Sequence, residues 1–436
     1  MKTNKVVAAL LAAAMVFSMS ACSKKDDETE KTKEEKETTE KVESESDESA
    51  EETTTAEASE SETETEAETT PAAGAELTKE QYDAMTEDEL IEMAGITDRD
   101  NVTMEQYVWL VNTLKFAEIK EDKGGIWPDA QSNTRQALKH LKNGLPADKN
   151  SKAEEFITSP EPAVRYYGYG LLESLTGVTE DDVKMAVSHA KDETEPMVLC
   201  AAISALANDM KTPEVAEFIF TMSHHEVLQV RSKSMTAIGN TWSIGVPGTT
   251  ERLIEVMNDK NEDEYVRGMA CHLCGQLHDE ALVEPLKTIL FSDEEEDKLK
   301  GEAARGLMLL FYDSPFNEHT SEAAWNVLKE YYSQTPRTVT NPQWLALNDM
   351  TKKSSSNYDA WKESATFFDV DEFYNIMVDI IKDENALTSL RTCAVDCVYA
   401  QCSSDKYVEM GAVVDALTDT NAQSVIDEYQ KKLEGA

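Results

Sequence analysis

Apolar residues in this chain recur at helical spacing, and the helices they predict recur in turn. In the stretch 262–290, Val266, Ala270, Leu273 and Leu277 lie three or four residues apart, which sets one apolar face of a helix. An acidic turn precedes that helix, and a short break separates it from a second apolar helix over Leu282–Leu290. The first apolar residue of the helix recurs as Val164, Val198, Val230, Val266 and Leu299, at intervals of 34, 32, 36 and 33 residues. Between these lies a second amphipathic set: Asp181–Ala190, Glu214–Met222, Thr250–Met257 and Leu282–Leu290. Thr179-Glu180-Asp181-Asp182 has the layout of a capping box with Asp in the reciprocal position. The predicted unit is therefore helix–turn–helix. A fixed period of this length marks a helical solenoid, because each unit buries its apolar face only against its neighbours.

Outside 151–312 the period loosens. Residues 77–150 predict helices over Lys79–Met85, Glu87–Ala94, Glu105–Ile119 and Gln131–Lys142, with capping-box layouts at Thr86 and Thr103 and a turn at Lys123–Pro128. Terminal repeats are atypical because one face has no neighbour, so this region reads as an N-terminal helical cap. Residues 313–370 read as an irregular insertion, aromatic-rich and broken at Thr335-Pro336, Asn341-Pro342 and Lys352–Asn357. The anchor returns at Leu390, 91 residues after Leu299. Over 371–436, degenerate repeats are expected, with helices at Asp371–Ile381, Leu387–Gln401, Tyr407–Leu417 and Ala422–Leu433.

The front of the chain changes the picture. Lys2 and Lys5, an apolar run from Val6 to Phe17 and small residues before Cys22 give a secretory signal over 1–21, shorter than a membrane-spanning helix. Met19-Ser20-Ala21-Cys22 resembles the processing site of bacterial lipoproteins. That resemblance implies that Cys22 becomes the first mature residue and carries the lipid, anchoring an exported protein to the outer face of the bacterial cell membrane. From Cys22 to residue 76 runs a tether of Glu, Thr, Ser, Ala and Lys. Ser23–Glu76 holds 21 acidic and 6 basic residues and almost no large apolar side chains, a composition that stays disordered. Stretched out, those residues span at most about 180–190 Å. Removing the leader's two lysines and the tail's −15 from the total of −44 leaves −31 for residues 77–436. Such a charge argues against nucleic acid and anionic headgroups as partners.

The Pro162-Ala163-Val164-Arg165 sequence and the matching Arg231, Arg267 and Arg391 positions resemble the HEAT-repeat family, in its bacterial form with a P-x-V-R-x-x-A-x-x-A-L second helix. The resemblance covers about Ala153–Tyr312. It implies an all-α, right-handed solenoid of HEAT-like helical hairpins whose Arg-bearing helices line a concave side. It also implies that Arg165, Arg231, Arg267 and Arg391 bond between repeats. Leu199 and Lys300 hold the Arg position in their copies, which interrupts any continuous ladder.

Candidate chemistry is sparse. Cys271, Cys274 and His278 spell C-x-x-C-x-x-x-H, but a straight helix spreads them over more than a turn and no fourth ligand is evident. Cys393 and Cys397 share a helix face and read as packing residues. His225-Glu226 and His278-Asp279 are similar to the His–Glu pairs of HEAT-like di-iron hydroxylases, yet they sit on opposite sides of their Val-Arg helices. No nucleophile–base pair can be nominated, so the expectation is a non-catalytic protein without cofactor or metal. Acids at Asp192/Glu193/Glu195, Glu262/Asp263/Glu264 and Asp293–Asp297 precede Val-Arg-type helices, either as solvated turns or as a ridge for a basic partner. Trp325, Tyr331, Tyr332, Trp344 and Trp361 are the candidate binding residues, because aromatics on irregular segments often form recognition hot spots. The expected function is a cell-envelope scaffold binding an envelope or secreted protein or peptide. A small-ligand (glycan or peptide) carrier is the first alternative and a HEAT-like metalloenzyme the second.

Overall fold

A computed structural model describes residues 77–141, 153–174, 178–312, 320–335, 337, 339–353 and 358–434. The leader, Cys22 and the acidic stretch to residue 76 lie outside the described residues. The described chain is almost entirely α-helical, with one two-stranded hairpin among the described residues.

Three short helices open it: α1 (Lys79–Ala84), α2 (Glu87–Met93) and α3 (Met104–Asn112). Each begins with a Thr whose hydroxyl accepts the N3 backbone N–H while the N3 side chain reaches back, including the two boxes expected at Thr86 and Thr103. The helix expected to run on to Ile119 stops at Asn112, tightens into a 3-10 turn over Thr113–Phe116, and gives way to the hairpin β1 (Glu118–Asp122) and β2 (Gly125–Asp129). The strands are antiparallel, with Asp122 opposite Gly125 and Glu118 opposite Asp129. All five residues of β1 are exposed, so neither of its faces shows the alternation that identifies a strand in sequence. Helix α4 (Ser132–Leu141) follows, and the core of this region runs on through Phe156, Val164 and Leu171 into the next helices.

From there the helices come in pairs: α5 (Ala153–Ile157) with α6 (Pro162–Ser174), α7 (Glu180–Lys191) with α8 (Pro196–Leu206), and α9 (Pro213–Met222) with α10 (Leu228–Ile238). Next come α11 (Thr249–Asn258) with α12 (Glu264–Leu273), α13 (Val283–Leu290) with α14 (Asp297–Phe311), and α15 (Glu322–Tyr332) with α16 (Asn341–Asn348). After a lone α17 (Tyr358–Ser364), α18 (Val370–Lys382) pairs with α19 (Thr388–Gln401), and α20 (Ser404–Val414) with α21 (Ala422–Glu434). The second helices touch in unbroken order, α6 to α8, α10, α12, α14, α16, α19 and α21. The anchors Val164, Val198, Val230, Val266, Leu299 and Leu390 are all buried in this second row.

The stretch 313–370, read from sequence as an irregular insertion, supplies one further pair plus α17 among its described residues. Its aromatic side chains form a core. Phe311 stacks on Trp325 with centroids 4.8 Å apart and meets Trp361 and Phe368 at 5.5 and 5.7 Å. The Trp361 indole N–H donates to the Phe311 carbonyl at 2.9 Å, which ties α17 to the end of α14. Among the described residues, no helix is long and apolar enough to cross a membrane.

Two glycines set the closest approach in the second row. A methyl group on Gly306 would fall onto the Cys271 carbonyl oxygen, and one on Gly275 onto the Gly306 carbonyl. Gly170, in mid-α6, has open space where its Cβ would be. The same substitution should therefore act in opposite directions. Gly306→Ala is expected to destabilise by about 1–3 kcal/mol through overpacking. Gly170→Ala should stabilise by roughly 0.5–1 kcal/mol through backbone entropy. Urea unfolding of both variants beside the parent checks the pair; equal effects would contradict the packing described.

Candidate functional site

The second row presents one continuous face, and its joints decide how rigid that face is. Four of its joints are built from an arginine on a second helix. Arg165 Nε donates to Glu193 at 2.7 Å, while its Nη1 bonds the carbonyls of Ser159 and Pro160 at the turn before α6. Arg231 holds Glu262 at 2.8–3.1 Å and the carbonyls of His225 and Glu226. Arg267 reaches Glu295 at 2.7 Å and the Met257 carbonyl; Arg391 reaches Asp419 at 2.7 and 2.9 Å and the Ile381 carbonyl. In these four cases the cation takes carbonyl oxygen from the end of the first helix or the turn of its own pair, and a carboxylate from the turn of the next pair. These are bidentate or branched contacts that suit a guanidinium and not an ammonium.

The sequence reading missed one member. Arg337 lies in the turn between α15 and α16, outside any Val-Arg motif, yet it donates to the Tyr332 carbonyl at 3.3 Å and to Asp383 at 3.1 Å. It supplies the same bridge to the α18–α19 turn. Nothing in the sequence marks it, because no helix is predicted on either side of it within the stretch 313–370.

This wiring accounts for the acidic turns. Glu193, Glu262 and Glu295 are the joint carboxylates. Asp263 caps α12 through the Tyr265 N–H, and Glu294 pairs with Lys260. Arg267 holds the Glu295 carboxyl below its usual range, and Arg391 brings Asp419 down to about 2. For Glu193, burial pushes upward, but Arg165 and the N–H groups of Glu195 and Thr194 outweigh it and the net shift is downward.

The expected binding aromatics divide. Trp325, Tyr331, Tyr332 and Trp361 are buried and serve as core. Trp344 is half-buried on α16, next to Leu345, which is 39% exposed. The polar residues turned outward from the second row are instead His272 on α12 and Glu302 and Arg305 on α14. His272 Nδ1 lies 3.4 Å from Glu302, and Arg305 lies 3.2 Å from the same carboxylate. Burial, helped by Arg305, pushes His272 down to about 3, so its imidazole is neutral at physiological pH. The group offers fixed hydrogen-bond donors and acceptors.

The remaining candidates are structural in their contacts. The six described cysteines are free, and Cys274 Sγ donates to the Cys271 carbonyl at 3.1 Å. Burial raises both of those thiols. His278 begins a left-handed turn at φ 56°, and no group of three or more His, Cys, Asp or Glu among the described residues could hold a metal ion. His225 Nδ1 accepts from the Val227 N–H, whereas Asp279 accepts from Thr250 and caps the turn into α13, so the two His–acid pairs shape separate turns.

Part of the face is already occupied. Strand β2 lies against α6, α8 and α10, and the hairpin tip reaches α12, where Lys123 Nζ is 3.2 Å from Asp263. No family model matches this chain, and no curated protein matches it.

The joints predict an acid response with a definite sign. A carboxylate whose folded pKa is depressed stabilises fully above its unfolded value, about 3.9 for Asp, and loses that contribution as pH falls toward the folded value. Thermal melting followed by far-UV circular dichroism should therefore show a decline as pH falls from about 4.5 to 2. Asp419→Asn should melt lower at neutral pH and decline less steeply over that window. An unchanged slope would mean that Asp419 does not titrate with folding.

Proposed function

We propose that this chain is a lipid-anchored cell-envelope scaffold that binds an extended segment of another protein along the face of its second-row helices. In this reading the helix pairs stack as a right-handed HEAT-like solenoid, and the second row lines its concave side. Cys22 carries the lipid, and the acidic stretch to residue 76 is a disordered tether that holds the helical part away from the membrane. The protein does no bond-making chemistry. Its affinity comes from shape and hydrogen bonding over an extended rigid surface.

One observation carries the reading: the face already holds an extended chain. Strand β2 sits on α6, α8 and α10, and Gly125 lies close against Lys233 of α10. A surface that accepts backbone in this way is suited to strand-like peptides. Beyond the hairpin, Arg305, Glu302 and His272 offer polar contacts and Leu345 an apolar one. The buried aromatic residues of 313–370 have no part in this recognition and serve as core.

Two measurements test it. Expressed in a bacterial host with an alkyne fatty acid, the parent should take up label and sediment with membranes, and Cys22→Ala should do neither. Affinity capture with the full chain against envelope and secreted proteins should retain a partner that is lost, or bound at least ten-fold more weakly, with Arg305→Ala/Leu345→Asp. Capture unaffected by that variant would move binding off this face.

A further inference from the structure

The hairpin that covers the start of the second-row face is held there thinly. The main contact with the helices is made by β2, while all five residues of β1 are exposed and Ile119 is 54% exposed. A two-stranded hairpin is marginal by itself, so it depends on the surface beneath it. Its tip is fixed by one exposed ion pair, Lys123 to Asp263, of a kind that contributes little in water. The seating is by backbone more than by side chains. A Cβ on Gly124 would lie 3.2 Å from the Tyr265 hydroxyl, and one on Gly125 would lie 3.1 Å from Lys233 Cε. Ile126 packs at the margin of the core, with its backbone near Cys200.

We propose that the hairpin Glu118–Asp129 is a displaceable strap, and that an extended partner segment with a lysine or arginine opposite Asp263, followed by small and then apolar residues, binds in its place. The strap's own Lys123-Gly124-Gly125-Ile126 is the template for that partner. This rests on the reading of the second-row face as a peptide-binding surface. Opening the strap uncovers Cys200 and Lys233 on α8 and α10 and frees Asp263 for a cation from outside. No bond is made or broken, and the exchange swaps one backbone for another on the same surface.

Cys200 is the natural reporter. It is 2% exposed under Ile126, and burial raises its thiol to about 11, so a maleimide reaches it only when the strap lifts or the protein unfolds. Cys271, buried between α12 and α14, reports unfolding alone. Labelling of the full chain, resolved cysteine by cysteine by mass spectrometry, should show Cys200 modified faster than Cys271. Lys123→Glu should accelerate Cys200 by about three- to ten-fold and leave Cys271 unchanged. Asp263→Asn keeps the α12 cap and removes the charge, so Lys123→Glu added to it should change the rate little. A synthetic peptide of residues 117–130 should then slow Cys200 labelling in the Lys123→Glu protein. Equal rates at Cys200 and Cys271 in every variant would overturn the strap. Acceleration without protection by the peptide would leave the strap movable and overturn the exchange with a partner segment.

Discussion

The arrangement rests on one recurring contact, a buried arginine shared between the carbonyls of its own helix pair and a carboxylate of the next. Burying either ion alone would cost several kcal/mol, and the pair as a whole is near neutral against an apolar alternative. Its value is therefore directional. A guanidinium that must satisfy carbonyls on one side and a carboxylate on the other tolerates few relative positions of the two pairs. Arg391, fully buried with Ile381 and Asp419 as partners, is the tightest case. Where the position holds Leu199, the side chain is buried and apolar; between α12 and α14 the Arg267–Glu295 bridge is joined by the close approach of Gly275 and Gly306. At that joint hydrogen bonding and close packing act together.

The same contact explains how so acidic a chain keeps its turns in place. Glu193, Glu262, Glu295, Asp383 and Asp419 are bound inside joints, and other acids cap helices or pair with lysines across successive first helices, as Glu217 does with Lys191, Glu330 with Lys287 and Glu372 with Lys329. Those exposed pairs stabilise weakly and are screened by salt. The difference between the two classes is burial. Arginine holds Glu295 and Asp419 below the ordinary carboxylate range, so acid attacks those joints only below that range.

What the sequence reveals and what it hides follow from the same division. The anchors and their helices are legible because Val164, Val230 and Val266 must each meet an equivalent neighbour, which imposes a period. Capping boxes at Thr86, Thr103 and Thr179 are legible because they are local. Arg337 was not, since it reaches its joint from a turn and shares no motif with the helical arginines. The aromatic stretch suggested a recognition surface because its breaks look irregular. In space Trp325 and Trp361 converge on Phe311, a contact between residues 14 and 50 positions apart that no local pattern encodes. The hairpin escaped because β1 buries nothing, and a strand that packs on neither face carries no periodic signature.

This is also why the fold is easier to read than the partner. Positions that join one pair to the next are constrained alike in every copy, so they repeat. Positions that face outward from the second row are not so constrained, and they differ: Lys233 on α10, His272 on α12, Arg305 on α14, Leu345 on α16. Any specificity must reside in that non-repeating set, because a surface made only of repeated residues would bind every register of a segment equally well. On the proposed peptide-binding reading, the strap adds a second filter at the start of the face. A partner must outcompete a tethered segment present at high effective concentration, so only segments that also engage the outward residues beyond the hairpin gain enough to displace it. Weak retention of the strap and varied residues beyond it are then two halves of one selective device.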